Sequence, residues 1–251
     1  MKDEAEHEGN PRRGFLKRVA VATGSIPLAH GLVGGVTVGA VAVPVQAAAA
    51  TTSPITDAVG YTSLSPEEAA FTEAMVNVMC PADSFTPNGV DCGLAIYIDR
   101  QLAGSFGKGA KRYLRGPWAV GKPQHGYQLP LTPEQYFKAG LAGVNQASVL
   151  RAGRRFDQLA PVQANAFLTD LSSGNITDAE LDLASWFNGL MYPLFEQACF
   201  ADPIYGGNHD KVFWKVIGYP GLPATNTINM ARFRGKPFPG ARTPKSITDL
   251  S

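Results

Sequence analysis

Apolar residues in the middle of this chain recur at intervals of three and four, the spacing of one face of an α-helix. The first such segment opens at Ser65-Pro66-Glu67-Glu68, a serine N-cap followed by proline at the first helical position and a glutamate able to return a hydrogen bond to the cap. Phe71, Met75, Val78 and Met79 then share a face, and Pro81 sets the limit because it disfavours helical geometry in the residue before it. Leu94, Ile98 and Leu102 predict a second helix over Leu94–Ala103, stopped by Gly104, with Asp99 and Arg100 turned toward water. Thr132-Pro133-Glu134-Gln135 repeats the capping signature and starts a helix running through Tyr136, Leu141, Val144 and Leu150 toward Leu159. Arg151, Arg154 and Arg155 stand near its C-terminal end, where cations suit the helix dipole. A short helix over Pro161–Leu171 follows, and another is predicted from Thr177-Asp178-Ala179-Glu180, with Leu181, Trp186, Leu190 and Leu194 inward and Pro193 as a kink. Alternating apolar runs are too short to compete, so the pattern predicts an all-α protein: an irregular helical domain over residues 63–221 with long loops.

Two stretches escape the periodicity. Residues 105–131 read as a long irregular segment in which Lys108, Lys111, Arg112, Arg115 and Lys122 alternate with Tyr113, Trp118 and Tyr127. Structureless pieces of that length are usually functional, and a protein-contact or substrate-channel surface is the expectation. Residues 222–251 form an extended basic tail, rich in proline, whose composition builds no core of its own. It is either disordered or ordered along a partner, and the second is the expectation.

The N-terminus changes the setting. Residues 1–11 are polar, Pro11-Arg12-Arg13-Gly14-Phe15-Leu16-Lys17 carries paired arginines, and Val19–Val43 has no charged residue. With small residues at Ala47–Ala50, this is the layout of an export signal over residues 1–47, and Arg12, Arg13, Phe15, Leu16 and Lys17 make it resemble a twin-arginine (Tat) signal. Retention as a membrane anchor is the alternative, but Pro27, His30 and the glycines leave the run only mildly apolar. Cleavage near Ala47 or Ala49 and a periplasmic location are expected, with a Thr/Ser/Pro linker over 48–62. The formal charge of +1 gives no excess of Lys and Arg for a nucleic-acid face. In an oxidising compartment Cys80 and Cys92, which flank a loop rich in Pro, Asn, Asp and Gly, are candidates for a disulfide, with two thiols at a helix end as the alternative. Cys199 is then left as a buried thiol or an intermolecular partner.

The densest run of special-purpose residues is Phe200–Gly221, FADPIYGGNHDKVFWKVIGYPG. It reads as a structured turn on the protein's own core, as a contact surface for another subunit, or as a site using Asp202, His209 and Asp210. Catalytic apparatus is hard to find elsewhere. The exported part has two histidines, His125 and His209, with no haem-attachment, iron–sulfur, zinc-protease or phosphate-loop motif and no nucleophile elbow, so no catalytic, cofactor-binding or metal residue is assigned.

The pattern Asp202-Pro203-Ile204-Tyr205-Gly206-Gly207-Asn208, then Trp214-Lys215-Val216-Ile217-Gly218-Tyr219-Pro220-Gly221, resembles the signature of the gluconate 2-dehydrogenase subunit 3 family, the small (gamma) subunits of membrane-bound sugar-acid dehydrogenases. Cys80-Pro81-Ala82-Asp83 and Ala95–Leu102 resemble the same family, and the likeness spans roughly residues 62–222. It implies a non-catalytic subunit of a complex held at the cytoplasmic membrane. FAD would belong to a large dehydrogenase subunit and haem c to a c-type cytochrome subunit, with none in this chain. The small subunit would help the flavoprotein mature and accompany it through the Tat translocase. Trp118, Tyr205, Asn208, Trp214 and Tyr219 are the candidate interface residues, because aromatics dominate interface energetics. An independent periplasmic enzyme or a structural binding module are the alternatives.

Overall fold

Helix α1, Pro66–Met79, starts where its cap is complete: Glu68 N–H donates to Ser65 Oγ at 3.4 Å and Ser65 N–H donates to the Glu68 carboxylate at 2.9 Å. The structure, a computed structural model, describes residues 60–119, 121–222 and 226–250. The expected signal, with Arg12, Arg13, Phe15, Leu16 and Lys17, and most of the linker lie outside the described residues. After α1 come α2 (Leu94–Ala103), α3 (Pro133–Ala152), α4 (Pro161–Ser172), α5 (Leu183–Trp186), α6 (Tyr192–Phe200), α7 (Val212–Ile217) and α8 (Asn226–Arg232), joined by loops and short 3₁₀ turns. Among the described residues there is no strand, so the all-α expectation holds. No described helix is long and apolar enough to cross a membrane.

The core lies where α1, α2 and α3 meet and where α6 crosses α2 and α5 crosses α3. Phe71, Met75, Leu94, Ile98, Leu102, Phe137, Trp186 and Leu194 are fully buried in it. Gly140 makes the α3–α5 crossing possible, since a Cβ there would lie 2.2 Å from Trp186 Nε1.

Several expectations fail for identifiable reasons. The third helix stops at Ala152 rather than near Leu159: Gly153 takes the left-handed conformation (φ 68°), and the reversal carries Phe156 into the core, 5.3 Å from Phe71 and 5.8 Å from Phe167 between ring centroids. Leu150 falls off the buried face and is 79% exposed. Thr177–Glu180 does not begin a helix, because Asp178 Oδ1 accepts from the N–H groups of Glu180 (2.8 Å) and Leu181 (3.2 Å) and closes a turn instead. Asp182 caps α5, accepting from Ser185 N–H at 3.0 Å. Pro193, expected as a kink, lies in the first turn of α6. The turn before it, Phe187–Met191, widens to a π-turn in which Tyr192 N–H reaches Phe187 O, which relieves the clash a proline ring makes with the carbonyl four residues back.

Asp99 is the largest departure. The helical spacing turns it toward water, yet it is 2% exposed, and its carboxylate accepts three backbone N–H groups, from Thr62 (2.8 Å), Ser63 (2.8 Å) and Leu64 (2.9 Å). The chain entering α1 thus covers that face of α2. Ser63 Oγ donates to Glu134 at 2.6 Å, and Lys138 donates to Ser63 O at 2.6 Å and pairs with Glu68 at 3.2 Å, which fastens the same strap to α3. In the irregular 105–131 segment the Arg112 guanidinium lies 3.6 Å above the Tyr127 ring, and Tyr127 stacks on Tyr136 at 3.8 Å. That cation is held by the protein's own aromatics.

The tail is not extended. It folds back over the Phe200–Gly221 stretch, where Lys245 N–H donates to Pro220 O at 3.1 Å and Leu222 N–H to Lys245 O at 3.0 Å, forming an isolated parallel bridge. Its prolines build no core, but its backbone N–H groups and Asp249 find partners already displayed by the stretch below.

Candidate functional site

The stretch after α6 is built from backbone that needs unusual conformations. Asp202 caps a 3₁₀ turn over Pro203–Tyr205, accepting from Ile204 N–H at 3.0 Å, and its second oxygen accepts Ile247 N–H from the tail at 2.9 Å. Gly206 then adopts φ 98° with its Cα against Arg100 of α2, and Gly207 rides so close to α6 that a Cβ would sit 2.4 Å from Ala198 O.

Asn208, Asp210 and Lys211 all have positive φ (49°, 55° and 58°), a conformation that disfavours ordinary side chains. Fixed partners hold it. Asn208 Nδ2 donates to Ala201 O at 3.1 Å and its Oδ1 accepts Phe213 N–H at 3.0 Å, so one side chain joins the end of α6 to the start of α7. His209 N–H donates to Cys92 O at 3.1 Å, and His209 Nδ1 lies 3.1 Å from Asp91 O. Lys211 donates to Pro244 O at 3.3 Å and pairs with Asp249, whose carboxyl its hydrogen bond holds well below the usual range.

These bonds decide among the readings of Asp202, His209 and Asp210. Asp202 commits both oxygens to backbone N–H groups and His209 faces a backbone carbonyl, so the structure does not bring the three together as an acid–base set. Of the five candidate interface residues, Asn208 (0% exposed) and Trp214 (3%) point inward; Trp214 Nε1 donates to Phe200 O at 2.9 Å and its ring meets Tyr219 edge-on at 5.1 Å. Trp118 is half-buried in the irregular loop. Tyr205 and Tyr219 are exposed.

Cys80, Cys92 and Cys199 are buried thiols in the structure. Burial pushes the Cys92 and Cys199 thiols up to about 12 and also raises Cys80. No group of described His, Cys, Asp and Glu residues has a metal-holding arrangement.

The exterior of this layer stands out. Eleven of the eighteen large apolar side chains exposed among the described residues lie between Phe200 and Leu250, including Ile217 and Met230 at 59% and 70%. Seven of the eleven line two adjoining grooves that share Tyr219: one of about 440 Å³ over Phe200, Trp214 and Ile217, and one of about 410 Å³ under Met230, Phe233 and Phe238. Residues 200–250 carry seven Lys and Arg against Asp202, Asp210 and Asp249, whereas residues 60–199 carry ten against thirteen Asp and Glu. The run of apolar residues at 200–222 was visible in sequence. The tail's share of this surface was not, because it depends on the tail folding back.

A helical body whose exposed apolar surface gathers in one cationic layer has the make-up of a subunit. Residues 66–221 match the family described as gluconate 2-dehydrogenase subunit 3, and the chain belongs to that family. The family's name makes it one subunit of a multi-subunit gluconate dehydrogenase. No curated protein and no solved structure matches the chain.

Proposed function

We propose that this protein is the non-catalytic small subunit of a FAD- and cytochrome c-dependent gluconate 2-dehydrogenase, and that it docks the FAD-containing large subunit through its C-terminal layer. The observation that carries the reading is the concentration of exposed apolar side chains on Phe200–Leu250, set among cations. A surface of this kind is stable in water when a partner covers it, and the cations favour an acidic rim on that partner. The twin arginines at Arg12 and Arg13 suit an escort: the flavoprotein folds around its FAD, docks, and leaves the cytoplasm through the Tat translocase as a passenger. The complex would then work on the periplasmic side of the cytoplasmic membrane, with haem c in a separate cytochrome subunit. Substrate oxidation belongs to the large subunit.

The test is co-purification. A tagged full chain should bring down a large flavin-containing protein, and Ile217→Asp combined with Tyr205→Asp, both at exposed positions, should abolish that capture while the variant keeps wild-type helicity and Tm. Unchanged capture by the double variant would refute the docking face. Arg12→Lys with Arg13→Lys should leave the large subunit in the cytoplasm, and finding it in the periplasm of such cells would refute the escort role.

A further inference from the structure

The loop between α1 and α2 places two thiols on one acceptor. Cys80 is the residue that ends α1, and Cys92 precedes the glycine that starts α2. Both sulfurs approach Pro87 O, at 3.7 Å from Cys80 and 3.5 Å from Cys92, so one carbonyl brings the two thiols to the same point. The loop backbone closes on itself as well, with Gly89 N–H donating to Cys80 O at 2.9 Å. Cys199 is buried nearby on α6, but Pro87 O gathers Cys80 and Cys92 alone.

The same loop is the seat of the signature stretch. The carbonyls of Asp91 and Cys92 receive His209, and Gly93 is so close to the stretch that a Cβ there would lie 2.3 Å from Gly206 O. What holds Cys92 therefore holds the residues that force the chain through Asn208, Asp210 and Lys211.

We propose that Cys80 and Cys92 form a disulfide on meeting a dithiol-oxidising disulfide, and that this bond locks the seat on which the signature stretch and the folded-back tail rest. Cys80 reacts first, being the more accessible of the two and having Thr86 Oγ1 3.9 Å from its sulfur. Its thiolate attacks the oxidant's S–S bond, releasing one thiol and leaving a mixed disulfide. The Cys92 thiolate then attacks Cys80 Sγ and releases the second thiol. Two protons and two electrons pass from the protein to the oxidant, and Cys199 remains a thiol. The proposal concerns the isolated chain and stands or falls separately from docking to a flavoprotein.

The full chain is incubated with oxidised glutathione, denatured in N-ethylmaleimide, digested without reductant and analysed by mass spectrometry. The expected product is a Cys80–Cys92 linked peptide pair with Cys199 alkylated. Alkylation of both Cys80 and Cys92, or a link that includes Cys199, would overturn the pairing. Hydrogen exchange then tests the lock: the amides of His209, Leu222 and Lys245 should exchange at least several-fold more slowly in the oxidised chain, and the oxidised form should melt on the order of 5–10 °C higher. Cys80→Ser with Cys92→Ser should remove both differences. Equal exchange at those amides in the two redox states would overturn the coupling even if the bond forms.

Discussion

Asn208 tests whether the signature stretch is held as its bonds indicate. The side chain is wholly buried, its backbone is left-handed, and it satisfies one carbonyl at the end of α6 and one N–H at the start of α7. Asn208→Ala leaves Ala201 O and Phe213 N–H without those partners. A buried group so orphaned costs roughly 1–3 kcal/mol, and the low end applies because both bonds are partly accessible to water, giving about 2 kcal/mol for the pair. Alanine at positive φ adds about 1 kcal/mol over asparagine, which tolerates that region. The expected loss is therefore about 3 kcal/mol. Asn208→Gly removes the same two bonds but accepts the backbone, so it should recover about 1 kcal/mol of that. Urea unfolding of the full chain, followed by tryptophan fluorescence and circular dichroism with m-values compared, measures both. An alanine variant within 1 kcal/mol of wild type would refute the latch, and a glycine variant no better than alanine would refute the conformational share.

Three further outcomes follow from the same geometry. Asp99→Ala strands three N–H groups and should destabilise by about 3–5 kcal/mol, with faster amide exchange at Thr62, Ser63 and Leu64; unchanged exchange there would contradict the strap. Gly207→Ala sets a methyl 2.4 Å from a backbone carbonyl of α6 and should cost about 3 kcal/mol, read as a lower urea midpoint, while Gly60→Ala, which has open space, should change nothing measurable. Burial raises the Glu134 carboxyl more than any other single effect, but hydrogen bonds from Lys108 and Ser63 and the charges of Lys108 and Lys138 together hold it below the usual range. A depressed folded value means the stability is present above the unfolded value of about 4.3 and is lost as pH falls through the folded one. Wild type should therefore lose more Tm than Glu134→Gln between about pH 5 and pH 3, and parallel curves would remove Glu134 from the acid response.

Where the deciding interactions are local, sequence alone determined the outcome. The capping boxes at Ser65 and Thr132 each involve partners three residues apart, so the starts of α1 and α3 are legible from four letters. The apolar spacing around Phe71, Ile98 and Leu141 announces the buried faces, and the glycine pair at Gly206-Gly207 announces a turn. Tertiary structure decided the rest. Asp99 is inside because a segment some 35 residues earlier lays three N–H groups over it. Phe156 is inside because Gly153 turns the chain just past the helix end and carries it back onto Phe71. Asp202 and His209, for which an acid–base role was one of three readings, are occupied by the tail and by the Cys80–Cys92 loop, contacts 45 and 118 residues distant in sequence. A periodic pattern reports which way a side chain leaves its own helix, and only the folded chain determines what comes to meet it there.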